Sequence, residues 1–127
     1  MLSLTLVACH GTEVAGNAPE TYVDVYVSAK AIQCEYSGDS AEKTAKVLID
    51  ADVAVRTSQC ASMTDVMFPA VCGGGSGEIN IHTIATGDLP KAKAAGFAPV
   101  SELRAGKTKG YATGDCSGRG VRTDSSI

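Results

Sequence analysis

Residues 21–29 read Thr-Tyr-Val-Asp-Val-Tyr-Val-Ser-Ala. Val23, Val25, Val27 and Ala29 fall on one side of an extended chain. Tyr22, Asp24, Tyr26 and Ser28 fall on the other. Strict alternation with β-branched residues predicts a half-buried strand, with Ala31 and Ile32 either extending it or opening a turn of helix. Whatever covers the valine face must come from elsewhere in the chain, so the reading works outward from here.

Downstream, Asp39-Ser40-Ala41-Glu42 has the spacing of a capping box, with Asp39 as N-cap and Glu42 three residues later. Ala41, Ala45 and Leu48 recur at helical spacing, which predicts a helix over about Ser40–Asp50. Val53, Val55 and Thr57 alternate and predict a second strand, with Cys60 at its end. Glu78–Ile84 predicts a third, entered through Gly73-Gly74-Gly75-Ser76-Gly77. Asp88 suits the N-cap of a short helix with Pro90 in its first turn. Gly96 suits its left-handed end, with Phe97 as the apolar lock. Val100–Leu103, or the stretch near Tyr111, supplies a fourth strand. The order β-α-β-β-α-β predicts an α+β domain, an antiparallel sheet with two helices on one face in a ferredoxin-like split βαβ layout.

The chain has 127 residues and a net charge of −3, enough for a single domain. Mild acidity lacks the basic footprint of a phosphate-backbone binder, so no nucleic-acid partner is expected. Aromatics make up 5%, leaving few stacking platforms for bases or sugars. No apolar run reaches the roughly 18 residues of a membrane span.

The two ends differ from the body. Leu6-Val7-Ala8-Cys9 resembles the lipobox of bacterial lipoproteins, whose cysteine becomes the first residue and carries a diacylglycerol. The resemblance covers these four residues and their apolar lead-in, and implies lipid attachment at Cys9, a membrane anchor and a periplasm-facing position in the cell envelope. The lead-in lacks Lys and Arg and is about half the length of a signal h-region, so residues 1–8 read as a truncated signal-peptide remnant. Residues 9–20, with the anchor cysteine first, are small and polar and read as a flexible tether. The folded domain is placed at residues 21–103. Residues 104–127 carry five basic residues against Asp115 and Asp124 and read as a Gly-rich, mildly basic flexible tail.

With Cys9 assigned to lipid, Cys34, Cys60, Cys72 and Cys116 remain, an even set that suits two disulfides in an oxidising compartment. Of the three pairings, Cys60–Cys72 with Cys34–Cys116 is preferred, because the first would close the loop between strands two and three. Zinc ligands come in close pairs, which these spacings lack, and no metal or cofactor is expected. Asp115 beside Cys116 disfavours a reactive thiolate. Gly106-Lys107-Thr108 lacks the preceding glycine of a phosphate loop.

Two candidate sites remain. Met63, Met67 and Phe68 lie in an apolar loop beside Gly73, Gly74 and Gly75, a partner-binding surface that a disulfide would pre-organise. His82, with Asp24 and Tyr26, is the alternative, a pocket for a small ligand or a hydrolytic reaction. The residues favour non-covalent binding of another envelope protein, as accessory or inhibitor, over catalysis. A structural envelope component is the third reading.

Overall fold

The structure is a computed structural model and describes residues 20–120. The lipobox, Cys9, His10 and residues 121–127 lie outside the described residues. The elements are β1 (Tyr22–Ser28), α1 (Ala41–Asp50), β2 (Thr57–Met63), β3 (Glu78–Ala85), α2 (Leu89–Ala94), β4 (Ala98–Pro99) and β5 (Tyr111–Gly114), with single turns of 3-10 helix at Thr86–Asp88 and Val100–Leu103. The fold is α+β, one five-stranded sheet in the order β4-β1-β3-β2-β5. Every neighbouring pair is antiparallel. β3 therefore lies between β1 and β2, the two strands joined through α1, and β1 lies between β3 and β4, joined through α2. The expected β-α-β-β-α-β order is present, with β5 added at the β2 edge.

Both helices cover one face. Leu48 of α1 and Ala92 of α2 pack with Val25, Ile84, Val53 and Phe97. Each large apolar side chain buried there contributes about 1.5–3 kcal/mol. The alternation read in residues 21–29 places Val23, Val25 and Val27 on this face. The opposite face has its own small core, where Ala61, Ile79 and Ile81 meet Tyr26, Met63, Val100, Leu103 and Tyr111. The 3-10 turn Val100–Leu103 thus forms part of that cover and is not a strand.

Both helices end in the same way. After α2, Gly96 takes φ +101°, its amide donates to the Lys93 carbonyl, and the Phe97 amide donates to the Ala92 carbonyl. That is a Schellman end with Phe97 as the buried lock. After α1, Asp52 takes φ +69°, its amide donates to Ile49 and that of Val53 to Leu48. Val53 is therefore a helix lock and not part of a strand. β2 starts at Thr57, four residues beyond Val53, and Cys60 sits inside it. At the start of α1 the cap is Ser40, whose hydroxyl accepts from the Lys43 amide, and not Asp39. Asp39 instead accepts from the Tyr36 hydroxyl and the Lys43 ammonium.

The disulfides are Cys34–Cys72 and Cys60–Cys116, which corrects the expected pairing. Cys60 pairs across β2 with Asn80 on β3 and Gly114 on β5, so the thiol within reach is the one just past β5. Cys72, at the far end of the β2–β3 connection, lies instead beside the turn that carries Cys34. The domain boundary at Leu103 moves as well. β5 pairs with the outer edge of β2, and the Arg119 side chain is only 7% exposed. Its guanidinium donates to Asn80 Oδ1 at 3.0 Å and to Glu78 Oε1 at 3.1 Å. The sequence to Gly120 belongs to the folded body.

Candidate functional site

His82 is fully buried. It sits on the helix-covered face between two hydroxyls, Thr44 Oγ1 at 2.7 Å from Nε2 and Ser58 Oγ at 2.7 Å from Nδ1. The two hydroxyls satisfy both ring nitrogens of a neutral imidazole, one accepting the ring proton and the other donating to the bare nitrogen. Burial pushes the imidazole down from 6.5 to about 4, which makes it a neutral structural group at pH 7 and a weak base. The orienting partner is a hydroxyl, with no carboxylate to stabilise an imidazolium, so the arrangement falls short of a catalytic triad.

The other two members of that candidate pocket lie elsewhere. His82 pairs across strands with Val25, so Asp24 necessarily points to the opposite face. There it accepts from Thr83, which in turn accepts from Thr57. Tyr26 packs into the second core, where burial, and then the charge of Glu102, push its phenol upward. The structure does not bring His82, Asp24 and Tyr26 together. Among the described residues no group of His, Cys, Asp or Glu could hold a metal ion, and no helix is long and apolar enough to cross a membrane.

The β2–β3 connection is different. Met67 is 94% exposed, and Val66, Phe68 and Val71 are exposed beside it. The loop is nonetheless clamped. Gln33, from the turn after β1, donates through Nε2 to the Pro69 and Gly75 carbonyls, each at 2.8 Å. Its Oε1 accepts the Val71 amide at 3.0 Å. Its backbone exchanges bonds with Gly73 and Gly74, and the next residue is Cys34, bonded to Cys72. The amides of Gly73 and Gly74 are thus spent inside the loop, and Gly75 bridges to Ile32. These glycines brace the surface and leave no amides of Gly73 or Gly74 for a partner. Met63 belongs to the second core, while Met67 and Phe68 remain on the surface. Phe68 lies over Gly77, where an added Cβ would come within 3.0 Å of the ring.

A cleft of about 750 Å³ was not legible in the sequence. It opens between the end of β1, the turn Ile32–Tyr36, α1 and the end of α2. Val27, Val47 and Phe97 supply apolar wall, and Lys30, Tyr36 and Asp39 supply polar groups. Burial works to raise the Asp39 carboxyl, but hydrogen bonds from Tyr36 and Lys43 and the charges of Lys43 and Lys30 outweigh it and hold it low. The sequence signal that could have marked this place is Lys30, a lysine directly after buried Ala29 at the exit of β1. Comparison with protein-family models, curated proteins and solved structures finds no match.

Proposed function

We propose that this chain acts by non-covalent binding of another protein of the bacterial cell envelope, held at the membrane by lipid on Cys9. The β2–β3 loop is the contact, with Met67 and Phe68 at its centre and Val66 and Val71 beside them. One observation carries the reading: apolar side chains are exposed on a loop whose backbone is already fixed by Gln33 and Cys34–Cys72. An exposed apolar cluster lowers its free energy by being covered, and a fixed backbone loses little entropy when that happens.

The test has two parts. The intact mass of the chain expressed in a bacterium from the full gene should show a cut before Cys9, added acyl mass and four cysteines protected until reduction. A photocrosslinking residue in place of the exposed Val66 should then capture an envelope protein. That adduct should vanish from a chain carrying Met67→Ser and Phe68→Ser whose denaturation midpoint is unchanged. An unprocessed chain refutes the anchor, and an adduct indifferent to those substitutions refutes the loop.

A further inference from the structure

We infer that the cleft between β1, α1 and the end of α2 binds a small amphipathic anion, one acidic head on an apolar chain. The cleft is independent of the loop proposed above. Its volume of about 750 Å³ lies within the usual range for small-molecule sites. Val27, Val47 and Phe97 offer a wall for an apolar body, and charge at the rim sets the sign of the head. Two lysines, Lys30 and Lys43, line the cleft with a single carboxylate, Asp39. Asp39 is already engaged, accepting from Tyr36 and from Lys43 at 3.2 Å. Among the described residues Lys30 has no carboxylate in ion-pair contact, and although its charge also acts on Asp39 from a distance, two lysines against one carboxylate leave the described lining with a net positive charge.

The backbone at Lys30 supports the same assignment. It takes φ +60°, a region uncommon for a residue with a Cβ. Its amide donates to Ser28 Oγ at 3.0 Å. A lysine held in a left-handed conformation at the rim of a cavity is the kind of local strain that accompanies ligand contact. The head would meet Lys30, with Lys43 next to it, and the chain would lie along Val27, Val47 and Phe97. A cationic head would find no unengaged carboxylate.

The experiment is a titration of the isotope-labelled full chain with monomeric decanoate, followed by amide chemical shifts, with decyltrimethylammonium as the comparison. Decanoate should shift Val27, Val47 and Phe97 saturably, with a dissociation constant at or below about 1 mM. Lys30→Glu should weaken binding at least about tenfold. Val47→Gln, on an exposed helix position, should weaken it while leaving the fold intact. The proposal is overturned if no saturable shift is seen by about 5 mM, if the cationic amphiphile acts equally well, or if Lys30→Glu binds decanoate as the parent does.

Discussion

Acidification from pH 7 to pH 4 should remove about 3 kcal/mol of stability through His82 alone. The imidazole is buried between Thr44 and Ser58, with both ring nitrogens already hydrogen-bonded in its neutral form. Folding lowers its pKa from 6.5 to about 4. Below pH 6.5 the unfolded chain takes up a proton there, and the folded chain does so only near pH 4. The unfolded state then binds more protons, so stability falls as the pH falls, and above pH 6.5 His82 adds no pH dependence. Each pH unit across that window is worth ~1.4 kcal/mol, which gives the total. Asp39, held low, acts only below the ordinary carboxylate value of 3.8 and leaves the window to His82. Urea unfolding at a series of pH values reads the slope. A His10→Gln background leaves one imidazole to follow directly by NMR. His82→Gln, without a titrating ring, should be flat across the window whatever its absolute stability. A midpoint unchanged between pH 6.5 and 4.5, or a native imidazole titrating near 6.5, would refute the reasoning.

Arg119→Ala should cost about 3 kcal/mol by thermal or urea unfolding, because it strands buried Asn80 Oδ1 and leaves Glu78 unpaired. Asp52→Gly should stabilise by about 0.5–1 kcal/mol, since glycine fits φ +69° at the end of α1 and the exposed Lys91 pair contributes little. Removing Cys34–Cys72 as a serine pair should speed amide exchange in residues 64–77. Removing Cys60–Cys116 should do so in β5. Each should cost about 4 kcal/mol for ring separations of 38 and 56 residues. Met67→Ser should change stability by less than about 0.5 kcal/mol, because the side chain is 94% exposed.

Local features of the sequence were readable and non-local ones were not. The valine alternation in β1, the period of α1, the extent of β3 and the glycine end of α2 depend on neighbours a few residues apart. Val53 and Val55 alternate like a strand and draw the start of β2 four residues too early, although Val53 serves as the lock of α1. The same shift puts Cys60 at a strand end, which favours the wrong disulfide partner. β5 has one large side chain, Tyr111, among small residues, and its place comes from the open edge of β2. The His82 pocket failed on parity. Both faces of β3 are buried, so His82 had no polar face to share with Asp24. The apolar loop was visible as composition, but the Gln33 clamp joins residues 36 to 42 positions apart and shows no local signal.

The two disulfides interleave along the chain, 34 with 72 and 60 with 116. Residues 64–71, the most exposed apolar stretch among the described residues, lie inside both covalent rings. Exposed loops are where proteases cut first. A cut there leaves two fragments joined by two sulfur bonds, and a cut anywhere else between Cys34 and Cys116 leaves at least one. On a gel run without reductant a nicked chain would migrate as one species, and with reductant as two. The same loop that offers a surface to partners can therefore be severed without the molecule coming apart.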